Sequence, residues 1–465
     1  MSEPASTAPP ATRGLPLSQW LLTAIGNRWL LPILLSAAPL GVLVVLIRRY
    51  YVDVPVWDQW EIVPLLEKAY SRSLTIGDLW AQHNEHRLFF PQLIMLGLAR
   101  LSGWSIGYEL TLNVALAVGT FVVLAVQLRH VQRVFNLQAY FLYLLPLMAL
   151  EIFSLQQYEN WLWGWQIQIF LNAFAAVLGL TLLARPHFRW IYFVIACACG
   201  VVALYSFANG LVYWPIGGLV LLAAHTNPNR QIKLARWLWL VVAGVTIGSF
   251  LIGYRSPGGQ LPWLILLQQP VAYFRYVVAY LGAPIFSFDQ NWAAWGGLLC
   301  LAMFGWLVWL ARNLPLDRRC ALLPFVALGV YSISSAALTG LGRAAFGTDQ
   351  ALSSRYITLS GFLVIADSLL IVVLAQLLPP PRRMFSVVAA PAAAAVLLAL
   401  VALSSWQAVT RFADRHDYLL PARAALLSLS NDGLLARLYP DLAAVRLRGA
   451  FLQAHHLSVF RDVEH

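Results

Sequence analysis

Charge is scarce in this chain. Of 465 residues only 11% are charged, 20 are acidic and 60% are hydrophobic, against roughly 25% charged in an ordinary soluble domain. With a mean hydropathy of +0.69, most of the chain reads as dissolved in lipid. Cysteine is scarce as well. The four present, Cys197, Cys199, Cys300 and Cys320, sit in or at the ends of apolar runs, which argues against a disulfide framework or a cysteine metal site and leaves them as small apolar residues. There is no Pro/Gly/Ser-rich linker, low-complexity run or internal repeat, so the length reads as one membrane domain with a short polar tail at each end. A cleavable secretory signal is not expected: residues 1–28 are polar and proline-rich, and the first apolar run, 30–47, is long enough to span and lacks a small-residue cleavage site. A basic tract is also missing. The formal charge of +11 comes from arginines scattered between apolar runs, a membrane-topology pattern that excludes a nucleic-acid partner.

What is present is a series of apolar runs near 30–47, 106–128, 138–155, 166–183, 190–206, 210–224, 237–253, 292–311, 320–338, 356–377 and 386–404. They predict an all-α polytopic transmembrane protein of about eleven helices. Every second connection is basic: Arg129 and Arg133, Arg185 and Arg189, Arg230, Lys233 and Arg236, Arg312, Arg318 and Arg319, then Arg382 and Arg383, with Asp317 the one acid among them. The positive-inside rule makes these loops cytoplasmic. The expected division is then a cytoplasmic tail over 1–28, a transmembrane domain over 29–404 and a periplasmic tail over 405–465, in a bacterial inner membrane. The outward segments 48–105, 156–165, 207–209, 254–291, 339–355 and 405–465 hold nearly all the side chains capable of chemistry. The stretch 264–286, with Gln268, Gln269, Pro270 and Arg275, reads as a re-entrant or interfacial helix. The tail 405–465, with helical periodicity, reads as a small cap over the outer face.

The first outward segment, 48–105, is too long and polar for a connector. In Trp57-Asp58-Gln59-Trp60-Glu61 a carboxylate stands between interfacial tryptophans. Asp58 reads either as a general base toward a hydroxyl or as the N-cap of a helix running to Tyr70. In His83-Asn84-Glu85-His86-Arg87, a helical segment would put His83 and His86 on one face. The spacing lacks a third metal ligand, so binding of hydroxyls or phosphate by His83, His86 and Arg87 is the expectation, set against a headgroup-level Glu85–Arg87 pair that merely seats the next helix. Glu159, Asn160, Trp163 and Gln166, in a turn of alternating aromatics and amides, suit sugar faces and hydroxyls and suggest a cavity lining, since polar groups entering a membrane helix are costly; an aromatic belt explains the tryptophans alone. Ser206-Phe-Ala-Asn209-Gly210 reads as a tight turn. Late in the chain, Arg343 and Arg355, among glycines and serines and next to Tyr356, suit a bidentate clamp on phosphate or pyrophosphate, or snorkelling to headgroups.

Together these residues resemble the GT-C superfamily of membrane glycosyltransferases: an acidic residue just after the first helix, interfacial helices in the first periplasmic loop, many spans and outer arginines late in the chain. Over about 45–360, the strings Trp57-Asp58-Gln59-Trp60, His83 to Arg87, Glu159-Asn160-Trp161-Leu162-Trp163-Gly164, Ala208-Asn209-Gly210-Leu211 and Ser354-Arg355-Tyr356 resemble a group of bacterial multispanning proteins of unassigned function. The superfamily resemblance implies sugar transfer from a polyprenyl-phosphate donor to a periplasmic or lipid-linked glycan acceptor, in contact with membrane lipid. Asp58 matches the catalytic base, with Asp53 a close rival and Glu85 a third acidic candidate. Many members carry two adjacent acids there, whereas Gln59 follows Asp58 here. No cofactor is implied, and a divalent metal is not supported. The alternatives are a transporter or flippase of a lipid-linked or polar solute, and a non-catalytic protein of envelope-polysaccharide assembly.

Overall fold

The computed structural model describes residues 30–256, 263–377 and 380–461. Apart from one two-stranded hairpin, β1 (Gln82–His83) and β2 (His86–Arg87), its regular structure is helical. In chain order the helices are α1 (Leu30–Tyr50), α2 (Val63–Tyr70), α3 (Ile76–Trp80), α4 (Phe89–Ser102), α5 (Ile106–Phe135), α6 (Leu144–Ile152), α7 (Tyr158–Leu162), α8 (Ile167–Leu183), α9 (Trp190–Leu204) and α10 (Tyr213–Ala224). There follow α11 (Arg230–Leu251), α12 (Leu264–Gln268), α13 (Pro270–Gly282), α14 (Gln290–Ala311), α15 (Leu316–Arg343), α16 (Ile357–Ala375), α17 (Pro380–Leu427), α18 (Asp432–Leu435) and α19 (Leu442–Ala454).

Among the described residues seven helices are long and apolar enough to cross a membrane: α1, α5, α11 and α14, and, with their flanking 3-10 turns, Gly164–Leu183, Leu316–Phe346 and Ser354–Ala375. Four of the eleven apolar runs fall outside that set. The helices α6, α9 and α10 are too short, and 386–404 lies within α17, which runs 48 residues without a break. About 72 Å of helix passes through position 404/405, more than twice the roughly 30 Å of hydrocarbon in a bilayer, so the tail begins as a continuation of the helix that holds 386–404.

Burial separates the long helices into two roles. Gly164–Leu183 and Ser354–Ala375 are each 78% buried, apolar all round because other helices surround them. By contrast α1, α11 and α14 turn Leu34, Val45, Trp237, Leu240, Trp295 and Leu299 outward, the face of a helix whose outer solvent is apolar. The segment 264–286 does not lie flat on a surface. It breaks at Gln269-Pro270, and the C-terminal half of α13, Tyr276 to Gly282, is buried among α14, α15 and α16.

The last residues form a cap on the loop that follows α1. Leu438 O accepts from the Trp57 N–H at 2.6 Å, and Gly103 O from the Ser458 N–H at 2.8 Å. Tyr439 Oη and Arg448 Nη1 donate to Glu61 Oε1 at 2.6 and 3.0 Å, and Arg461 Nη2 to Asp53 Oδ2 at 3.1 Å. Burial opposes ionisation of Glu61, but the bonds from Tyr439 and Arg448 outweigh it and hold its pKa below the ordinary carboxylate value.

Candidate functional site

Five polar residues in a row lack the apolar spacing of a helix, and the segment expected to be helical is a tight hairpin instead. Asn84 takes the left-handed conformation at its tip (φ 50°), which asparagine tolerates better than most residues. The hairpin is stapled to the chain after α11 by Gln82, which donates to Arg255 O at 2.6 Å and accepts from the Arg255 N–H at 3.0 Å. Because His83 and His86 pair directly across the two strands, their side chains share one face. The histidines thus come together by cross-strand pairing and not by helical spacing.

That face meets both ends of the chain. His83 Nε2 stands 3.9 Å from Asp58 Oδ2. Glu85 accepts from Arg343 Nη2 with both oxygens, at 2.9 and 3.0 Å; it is the partner of Arg343 and neither a free base nor the mate of Arg87. His86 Nδ1 accepts from the Ala208 N–H at 3.1 Å while the ring stacks on Phe207 at 4.5 Å. A backbone donor on Nδ1 leaves the proton on Nε2. Burial, then the charges of His83, Arg343 and Arg355, pushes the His86 pKa down to about 3, so a neutral N–H donor stands in the field of two arginines. Arg355 lies 5.6 Å over the Tyr356 ring, and its buried Nε has no hydrogen-bond partner.

Asp58 is not an N-cap. The capping residue of the 3-10 turn Trp57–Ile62 is Val56, whose N–H donates to Gln59 Oε1 at 3.2 Å. Asp58 accepts no hydrogen bond among the described residues, and the His83 ring stands beside it. The turn that carries it is pinned from both sides. Above, the cap holds the Trp57 N–H, with Trp57 forced to φ 51°, a conformation costing roughly 1–2 kcal/mol for a non-glycine residue. Below, Trp163 Nε1 donates to Val56 O at 3.0 Å, and Gln59 Nε2 donates to Glu109 Oε2 at 2.7 Å.

Several expected ligand contacts prove to be framework. Asp53 accepts from the Ile106 N–H at 2.8 Å, from Ser105 Oγ and from Arg461, which ties the start of α5 to the cap and removes it as a base. Arg87 is buried and donates to Trp80 O at 2.7 Å, to Phe250 O at 2.8 Å and to Ile252 O; its reach is spent on carbonyls at the end of α11, where cations are favoured. Asn160 donates to Arg355 O and Thr358 Oγ1 at 3.2 and 2.8 Å. Trp163 and Gln166 are buried, and Tyr356 is stacked under Tyr280 with its hydroxyl accepting from Gln350. Glu159 accepts from Ser354 Oγ at 2.9 Å. The expected cavity lining at 159–166 is thus mostly interior packing, and Asn209, on Ser335 O and Thr339, is likewise a tie to α15.

Glu109 is the residue that sequence reasoning passed over. It is fully buried and accepts from Gln59 and, at 3.0 Å, from Trp104 Nε1. A Cβ at Gly164 would stand 1.8 Å from its Oε2, so only glycine fits there. The signal was an acid in the first turn of an otherwise apolar helix, where its cost implies a partner.

Among the described residues no group of three or more His, Cys, Asp and Glu is arranged to hold a metal ion. No protein-family model and no curated protein matches the chain.

The neutral state of His86 has a consequence for folding. In the unfolded chain the imidazole titrates near 6.5 and in the fold near 3, so between those values the unfolded chain binds the extra proton. Stability is full above the upper value and falls on acidification through that window, by at most about 1.4 kcal/mol per pH unit and by less because the ring is half-buried. His86→Gln keeps an acceptor for the Ala208 N–H, and its melting temperature is expected to fall less steeply below about pH 6.5 than that of the wild type. Parallel pH profiles for the two proteins would refute the neutral His86.

Proposed function

We propose that this protein is a membrane glycosyltransferase of the GT-C kind. It moves a sugar from a polyprenyl-phosphate donor to a glycan or lipid-linked acceptor on the non-cytoplasmic side of a bacterial inner membrane, with about eleven spans and a cytoplasmic N-terminus. The observation that carries the proposal is one hairpin whose neighbouring residues meet Asp58 on one side and Arg343 on the other. In the proposed step an acceptor oxygen attacks the anomeric carbon, the bond from that carbon to the phosphate oxygen breaks, and Asp58 takes the hydroxyl proton. The polyprenyl phosphate leaves with its electron pair onto Arg355, Arg343 and the Nε2–H of His86. Charge stabilisation from donors already in position supplies most of the rate in such a site.

Purified protein supplied with polyprenyl-phosphate sugars is expected to transfer or hydrolyse them. Arg355→Ala is expected to lower turnover by roughly 10²–10³-fold. If both Arg355→Ala and Asp58→Asn kept full turnover, the assignment would be wrong. A transporter or flippase is the second reading, favoured by two acids buried in the helical body, Glu151 and Asp367.

A further inference from the structure

Those two acids differ from Asp58, which is partly exposed beside His83, and from the other carboxylates of the outer site and its frame. Asp53, Glu61, Glu85, Glu109 and Glu159 each accept at least one hydrogen bond. Glu151, at the end of α6, and Asp367, near the middle of α16, are 3% and 2% exposed, and none of their four carboxyl oxygens has a partner among the described residues. An ionised carboxylate left so would cost many kcal/mol. Acids kept inside an apolar helical body mark ion or proton pathways.

Two further observations make the pair a site. The Glu151 carboxyl is seated against α16, the helix of Asp367: its Oε2 lies 3.3 Å from where a Cβ of Gly361 would stand, so the missing side chain makes its room. Cys300, midway along α14, is close enough to feel the charge of both acids. A polar ladder runs from the arginine end of the molecule to the backbone carbonyl of Glu151 and stops short of its carboxyl. Asn160, bonded to Arg355 O, donates to Thr358 Oγ1; Thr358 donates to Gln157 Oε1; and Gln157 Nε2 donates to Glu151 O at 3.2 Å.

We propose that Glu151 and Asp367 form an intramembrane proton-exchange site. Each carboxyl binds one proton from water and returns it to water. The inference goes beyond sugar transfer and holds whether or not the outer site performs it.

The test uses the full-length protein in lipid nanodiscs, treated with dicyclohexylcarbodiimide, an apolar reagent that adds to protonated carboxyls, and mapped by peptide mass spectrometry from about pH 5 to about pH 9. Glu151 and Asp367 are expected to be labelled, with labelling falling about tenfold per pH unit above the midpoint. Glu151→Gln and Asp367→Asn are each expected to remove their own adduct only. Absence of label at both acids, label that ignores pH, or protection by sodium ions would overturn the proposal, the last by making the site a cation site. The wild-type profile decides the matter even if a variant fails to fold.

Discussion

Gly297→Ala is expected to cost the protein about 3 kcal/mol or more, the upper end for overpacking, read as a large fall in melting temperature and loss of a monodisperse species in detergent. A Cβ at 297 would stand 1.8 Å from Val278 O, and one at Gly282 would stand 1.9 Å from Ala293 O. At both positions the obstacle is backbone, which has no rotamer to escape into, so α13 and α14 would have to part. Small residues that let helix backbones touch are the usual cement of helix pairs in lipid, where no hydrophobic effect drives helices together. The damage would reach the candidate site. The helix α13 carries Tyr276, bonded to Gln350, and Tyr280, stacked on Tyr356 at 5.2 Å, and these hold the segment that presents Arg355. Gly305→Ala, in the same helix as Gly297, is the control: nothing lies within 4 Å of its added carbon, so stability is expected to hold or rise by roughly 0.5–1 kcal/mol. Equal melting temperatures for the two variants would refute this account of the α13–α14 contact.

Legibility from sequence followed how local each cause is. Apolar runs report burial in lipid or protein directly, so most helices were visible. Their number of crossings is less direct, because α9 and α10 are as apolar as α8 yet fall below the length that marks a span by itself. The break at Gln269-Pro270 carries a local signal, since proline disfavours a helical residue before it and suits the first turn of a helix, although Pro39 and Pro324 sit inside α1 and α15. That α13 enters the bundle depends on Gly282 meeting a helix eleven residues further on, a fact of packing. His83 to Arg87 stood out as chemistry in either conformation. Helix and hairpin differed only in a turn signal at Asn84, which a string of five polar residues hides.

The same distinction separates candidate residues spent on the framework from those that are not. Arg87, Arg343 and Arg355 look alike as letters at the ends of apolar runs. Arg87 finds three carbonyls within reach, whereas Arg355 keeps an unpartnered Nε; only tertiary structure decides which arginine has capacity left for a ligand. Glu109 and Gly164 form one device, a carboxylate filling the space a side chain would need, and a device divided between two segments cannot be read from either.

Asp53 and Asp58 give the sharpest test, because sequence left them rivals and the structure gives them opposite surroundings. Asp53 is spent: it accepts at the start of α5 and pairs with Arg461 of the cap. Asp53→Ala removes an acceptor from a helix start and a charged partner from Arg461, and is expected to cost about 1–3 kcal/mol while leaving turnover per folded molecule nearly unchanged. Asp58 accepts no hydrogen bond among the described residues, with His83 Nε2 3.9 Å away. Asp58→Asn preserves shape, so its melting temperature is expected to stay within the effect of about 0.5 kcal/mol typical of surface changes. Turnover is expected to fall roughly 10²–10⁴-fold, the range for removing a general base. Thermal unfolding and sugar transfer measured on both variants separate the two duties. A destabilised Asp58→Asn with normal turnover, or a stable but inactive Asp53→Ala, would reverse the assignment. The strained Trp57 gives the physical reason to expect it as stated: the cap holds that backbone in an unfavourable conformation one residue before Asp58, and strain of this kind persists where it sets the aim of a neighbouring group.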